Sequence, residues 1–143
     1  MSFTGEFRHS IDPKGRLIVP SRLRDELNDD RVVLTRWPDG CIAMWSGPGW
    51  DQFETRLLEQ SRSDATARAV VRAIAASAHQ DVVDRQGRIS VPQNLRDHAD
   101  IGRDVVVVGA LDHGELWSPA RWDQQQARVE QERLDELVQQ LSF

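Results

Sequence analysis

Asp12 and Arg16 stand four residues apart in "DPKGRLIVP", and Asp84 and Arg88 repeat that spacing in "DRQGRISVP". A carboxylate and a guanidinium on the two sides of a tight turn support two kinds of chemistry. The aspartate can accept the turn's own amides or the arginine, which makes a structural pair. The arginine, emerging where an apolar strand starts, can instead offer its planar fork to a phosphate or to the edge of a guanine. Gly15 and Gly87 complete the turns. Between Arg8 and Arg24 lie Arg8, Lys14, Arg16, Arg22 and Arg24 against the single acid Asp12, and between Arg85 and Arg96 lie Arg85, Arg88 and Arg96 with no acid. A turn that served folding alone has no use for these basic neighbours. Arg8, Lys14, Arg16, Arg22, Arg24, Arg85 and Arg88 are therefore candidate DNA contacts. Arg16 and Arg88 lead, and Lys14 and Arg85 sit on the loop tips, where phosphates are met. For Asp12 with Arg16 and Asp84 with Arg88, the bracing role and the DNA role both stay open.

The elements that must hold these residues are themselves duplicated. Sliding the chain along itself by 84 − 12 = 72 residues superimposes the two phrases without a gap. Gly15 falls on Gly87, Val19-Pro20 on Val91-Pro92, and Leu23-Arg24-Asp25 on Leu95-Arg96-Asp97. The register continues with Arg31 on Arg103, Val33 on Val105, Trp45-Ser46 on Trp117-Ser118 and Trp50-Asp51 on Trp122-Asp123. Chance does not hold one register over such a span.

Each repeat has the same plan. "EFRHSI" is strand-like, "DPKG" is a turn with proline and glycine where a turn favours them, and "RLIV" resumes an extended run. After Pro20 a short helix is expected over "SRLRDEL", capped by Ser21. A hairpin follows, "VVLTRW" and "CIAMW" about the turn "PDG". The second repeat answers with "DVV", "DRQG", "RISV", "PQNLRDHA", "VVVVGA", "LDHG" and "ELW". Ser46 and Ser118 are positioned to cap the next helices. Leu134, Leu137, Val138 and Leu141 extend the last helix to the end of the chain, and "DATARAVVRAIAASAH" is a helix that joins the repeats. No Gly/Ser or Pro-rich tether separates them, so the two modules are expected to share one composite barrel with helices outside it.

The duplicated tryptophans, Trp45 with Trp50 and Trp117 with Trp122, favour packing of each module over base stacking. Trp37 has no partner at the same offset, and a subunit interface is one place for it. Cys41 is alone, which excludes a disulfide framework, and no spacing suits zinc. His9, His79, His98 and His113 are scattered, no GxSxG or phosphate loop is present, and an enzyme is not expected. Neither a metal, a cofactor nor a small-molecule substrate is called for. No apolar run approaches a membrane span or a signal peptide, so a soluble, cytoplasmic protein is expected. Net charge is −5, so DNA affinity would have to come from local basic patches repeated on an oligomer.

The phrase D-x-x-x-R followed by an apolar strand and proline resembles the loop-strand element of the SpoVT/AbrB-type swapped-hairpin DNA-binding fold. Two such phrases, with "GEFRHSIDPKGRLIVPSRLRDEL" at the start and "LWSPARWD" near the end, resemble the MraZ family of bacterial transcriptional regulators over nearly the whole chain. The resemblance implies an α+β fold, a pseudo-two-fold double repeat of swapped-hairpin modules forming one β-barrel with flanking helices. Residues 1–76 would be the first repeat with its linking helix, and residues 77–143 the second with its C-terminal helix. It implies a nucleoid-associated regulator, of repressor type, for the division and cell-wall gene cluster, with promoter DNA as partner and homo-oligomeric rings as the assembly. The second repeat is less basic and carries Asp81 where the first has His9, so the first is expected to be the better DNA-facing surface. The alternative from another class is an AbrB-like antitoxin that neutralises a partner protein, but such proteins carry one motif and a disordered tail.

Overall fold

In the computed structural model, which describes residues 2–27 and 31–142, the repeated phrase builds the same elements twice. Strand β1 (Glu6–Ser10) leads through the Asp12 turn to β2 (Arg16–Ile18) and helix α1 (Ser21–Arg24). The hairpin β3 (Arg31–Trp37) and β4 (Cys41–Ser46) follows, then α2 (Gly47–Gln60) and α3 (Ala65–Ser77). The second repeat gives β5 (His79–Val82), β6 (Arg88–Ser90), α4 (Gln93–Ala99), β7 (Asp104–Gly109), β8 (Gly114–Trp117), α5 (Pro119–Glu132) and α6 (Leu134–Gln139). The hydroxyls of Ser46 and Ser118 accept from Gly49 N (3.1 Å) and Arg121 N (3.2 Å), which caps α2 and α5 as expected. Ser21 does not cap α1. Pro20 takes that position, its restricted φ already in the extended cap conformation (φ −51°, ψ 133°), and Ser21 becomes the first helical residue.

The repeats exchange strands. β1 pairs with β7, from Glu6↔Val108 to Ser10↔Asp104, and β5 pairs with β3, from Arg31↔Val82 to Leu34↔His79. The six strands form one antiparallel sheet in the order β1-β7-β8-β4-β3-β5, and β2 and β6 form a separate two-stranded ribbon. The halves are related by an approximate two-fold at the β4–β8 junction. The ladder is an open sheet with edges β1 and β5, because each edge strand runs on into the ribbon instead of meeting the other edge. Leu17 and Ile89 of the ribbon, with Leu23 of α1 and Leu95 of α4, cover the inner face of Val32, Leu34, Ile42, Met44, Val105, Val107 and Leu116. On the outer face Val33 and Trp45 pack against Trp50 of α2 and Ile74 of α3, while Val106 and Trp117 meet Trp122 of α5. Trp37 is half-buried, edge-on to Trp45 (5.6 Å between centroids) and Phe53 (5.3 Å).

The offset of 72 is not uniform in space. Val32 and Leu34 face inward with Val105 and Val107, whereas Val33 faces outward with Val106. Within this strand the true offset is therefore 105 − 32 = 73, and Val33 does not correspond to Val105. A one-residue slip reverses every side chain of a strand, so the slip must be undone within the hairpin. It is: Trp37 pairs with Cys41 across the three residues 38–40, whereas only Leu111 and Asp112 separate Ala110 from His113, whose carbonyl accepts from Ala110 N at 2.8 Å. The longer turn also ties the repeats together, since Gly40 O accepts from Arg121 Nη1 of α5 at 2.9 Å.

The C-terminal helix is interrupted. Arg133, with a left-handed φ of 59°, separates α5 from α6, and Leu134, Val138 and Leu141 are exposed. α6 joins none of the core clusters, whereas α3, on the other repeat, sends Ile74 into one.

His113, buried at the β7–β8 turn, stacks on Trp45 of the other repeat (4.8 Å between centroids) and sits between two carboxylates, Asp112 Oδ1 at 2.6 Å and Glu115 Oε2 at 2.8 Å. Burial opposes its charge, but hydrogen bonds and charges from Glu115 and Asp112 prevail and raise its pKa above the ordinary 6.5. Arg56 approaches Asp112 at 3.9 Å. A group whose folded pKa is raised stabilises fully below its unfolded value, and its contribution is lost as pH rises through the folded value. The melting temperature is expected to decline as pH rises from 6.5 through the raised value, and His113→Gln to flatten that decline. An unchanged slope in the variant would show that other groups set it.

Candidate nucleic-acid interface

The two turns have the same geometry although their middle residues differ. Asp12 Oδ1 accepts from Lys14 N and Arg16 N, both at 2.9 Å, and Oδ2 accepts from Arg16 Nε at 2.8 Å. Asp84 Oδ1 accepts from Gln86 N and Arg88 N, both at 2.9 Å, and Oδ2 from Arg88 Nε at 2.8 Å. The Arg16 amide, with the Arg16 side chain and the Lys14 amide, holds the Asp12 carboxyl below its ordinary 3.8, and Arg88 and Gln86 do the same for Asp84. A depressed pKa means that the pairing is present above 3.8 and is lost only as pH falls through the lowered value.

Bracing and recognition are thus compatible. Each aspartate engages only Nε, and among the described residues Nη1 and Nη2 of Arg16 and Arg88 meet no partner. A guanidinium held at Nε keeps a two-nitrogen edge that fits guanine O6 and N7 or a phosphate.

The ribbon joins the two turns back to back, with Arg16↔Ser90, Leu17↔Ile89 and Ile18↔Arg88 in register. Leu17 and Ile89 point into the core, so Arg16, Ile18, Arg88 and Ser90 share the outward face. Two backbone bonds lock the turns across the repeats: Val19 N donates to Gly87 O and Val91 N to Gly15 O, both at 2.8 Å. Gly15 (φ 80°) and Gly87 (φ 79°) adopt the left-handed conformation that glycine takes without strain.

Arg24 and Arg96 pack beneath these glycines. A Cβ on Gly87 would run into the Arg24 guanidinium carbon, and one on Gly15 would lie 3.1 Å from Arg96 Nη2. Arg24 Nη2 donates to Val19 O (2.9 Å) and Arg96 Nε to Val91 O (3.0 Å). Arg24, expected at the DNA, is thus half-buried and tied to backbone in the same manner as Arg96. Arg22 is exposed, with Nη2 3.3 Å from Thr4 Oγ1. Arg8 lies on edge strand β1 between Asp123 of α5 (3.4 Å) and Glu6 (3.7 Å), engaged by acids rather than free. Lys14 and Arg85 are exposed on the turns with no ion pair among the described residues.

Arg103, which the sequence pattern missed, and Asp81, which it noted, flank the ribbon. Arg103 lines a cavity of about 590 Å³ with Asp12, Pro13 and Arg96 and has no ion pair among the described residues. The alignment sets it on Arg31, which Asp51 holds at 3.0 Å, but at the strand's true offset of 73 Arg31 corresponds to Asp104, each pairing with the equivalent residue of its edge strand, Val82 and Ser10. Asp81, where the first repeat has His9, accepts from Ser90 N (2.7 Å) and shares a small cleft with Arg16 and Arg88. Ser90 is the register partner of Arg16, so this carboxylate stands beside both ribbon arginines.

Comparison with known proteins matches the chain at residues 2–73 and again at 74–141 to the family model described as "MraZ protein, putative antitoxin-like". A protein of Natranaerobius thermophilus named Transcriptional regulator MraZ is 42% identical over 138 residues, covering 95% of this chain and 96% of its own length. Proteins of the same name from Ligilactobacillus salivarius (44% over 121 residues, 85% and 84% of the two chains) and Pediococcus pentosaceus (40% over 139 residues, 97% and 96%) are similar to it as well.

Proposed function

Because this chain belongs to the MraZ family, we propose that it is a sequence-specific DNA-binding transcriptional regulator, not an enzyme, whose β2–β6 ribbon enters the major groove of promoter DNA. The observation that carries this is the pair of guanidinium forks, Arg16 and Arg88, fixed at Nε and open at Nη on one exposed ribbon face. A two-stranded ribbon fits the major groove. Lys14, Arg85 and Arg103 stand where flanking phosphates would pass, and the more basic window of the first repeat makes its side the stronger contact. Arg22 is a peripheral contact in this arrangement, and Arg24 acts by holding the turn.

A chain of net charge −5 needs several such faces at once, since each phosphate contact adds only modest, salt-sensitive affinity. The exposed helix faces support an oligomer. α3 carries Arg68 and Arg72, no acid and an exposed Val70, while α6 carries Asp135 and Glu136, no base and exposed Leu134 and Val138. Opposite charges on non-equivalent helices favour head-to-tail contact, which closes into a ring when the rotation permits. Residues 1–76 and 77–143 act as two repeats of one body. The assembly binds short boxes repeated about every ~10 bp on one face of the duplex, and represses the division and cell-wall gene cluster.

The test is to incubate the purified full-length protein with fragmented genomic DNA, sequence what it retains, and measure the mass of the protein by light scattering. A retained fragment with a short repeated box, bound by a species heavier than one chain, is expected. Sequence-blind retention by a monomer would overturn the proposal. Copurification of a protein partner in place of DNA would favour the antitoxin-like alternative.

A further inference from the structure

Of the four side chains on the outward ribbon face, Arg16, Ile18, Arg88 and Ser90, only Ile18 is apolar, and it is 49% exposed. It lies directly across from Arg88 in the register and two residues from Arg16 on the same strand. A single exposed isoleucine has no significance by itself, but this one stands between two arginines where base edges must pass if the ribbon lies in the groove. Its two-fold counterpart is Ser90, so forming the ribbon does not require an apolar group at this place. Among the groups that base pairs present on the major-groove floor, the thymine C5-methyl is the apolar one.

Resting on the docking proposed above, we infer that Ile18 reads a thymine methyl group beside the guanine gripped by the ribbon arginines. The geometry sets the distance. Cross-strand neighbours lie about 5 Å apart and same-face neighbours about 6.6 Å, against a rise of ~3.4 Å per base pair. The thymine therefore falls about one to two base pairs from the guanine. Ser90 makes no such demand, which gives the recognised box a direction although the protein is nearly symmetric.

The experiment uses the full-length protein and a synthetic duplex of the box it selects, with each thymine replaced in turn by uracil. That change removes one methyl group and alters no hydrogen-bonding edge. The wild type is expected to lose about fourfold in affinity at one position, the effect of one buried methyl group. Ile18→Ser is expected to bind thymine and uracil duplexes equally there, with melting temperature and mass retained, while Ile18→Val still discriminates. Indifference of the wild type at every position, continued discrimination by Ile18→Ser, or a changed mass in that variant would each overturn the inference. Arg16→Ala separates it from the docking itself. If that variant binds as wild type, the docking fails and the inference with it; if it loses the box while uracil has no effect in wild type, the docking stands and Ile18 alone is misassigned.

Discussion

Arg16→Ala is expected to bind its box about ten- to a hundredfold more weakly, the effect of losing one bidentate base contact, while its melting temperature and mass stay near wild type. The fold should survive because Asp12 keeps both backbone partners, the amides of Lys14 and Arg16, when the guanidinium is gone. Arg16→Lys should not restore specificity, since an ammonium keeps the charge and lacks the fork. Asp12→Asn should fold and bind with intermediate strength, because its amide nitrogen cannot accept from Arg16 Nε and the fork is no longer aimed. Lys14→Ala should weaken binding to all sequences alike and lower the salt slope by about one unit. Melting, mass and binding are to be measured on the same four variants. Wild-type affinity in a folded, assembled Arg16→Ala protein would remove Arg16 from the interface, and a collapse of its melting temperature would make it a brace.

The second large effect concerns the halves. A fragment of residues 1–76 should show no cooperative unfolding as a monomer, and mixing with residues 77–143 should restore the fold. Cut there, β1 loses β7, β2 loses β6 and β3 loses β5, which are exchanges between repeats. The inner core is divided as well, Leu17, Val32 and Leu34 on one side from Ile89, Val105 and Val107 on the other. Because the halves are nearly equivalent, two copies of the first half can replace the missing one, and a folded dimer is compatible with the architecture. A monomeric 1–76 that melts cooperatively is not.

Much of this was legible in the sequence because duplication is a strong signal. The Asp-x-x-x-Arg turns, the caps at Ser46 and Ser118 and the burial of Trp45, Trp50 and Trp117 all follow from residues that occur twice. What was not legible is what identity cannot encode. Val33 and Val105 are both valine, so an alignment joins them, yet they lie on opposite faces because one residue is gained before one strand and removed in the turn after it. Arg24 and Arg16 read alike in a basic window, and only the glycine above Arg24 reveals that it supports the turn from below. The open edges of the sheet depend on where β1 and β5 go next, which periodicity along a single strand does not record.

The exchange of strands also has a timetable. Glu6 pairs with Val108, so the first strand to leave the ribosome waits for one made 108 − 6 = 102 residues later. At roughly 5–20 residues per second that delay is on the order of 5–20 s. Until then the nascent chain holds β1 without its partner, and another nascent chain on the same message carries the same unpaired strand. Slow translation of the second repeat would lengthen the interval in which neighbouring chains can pair with one another before each can pair within itself.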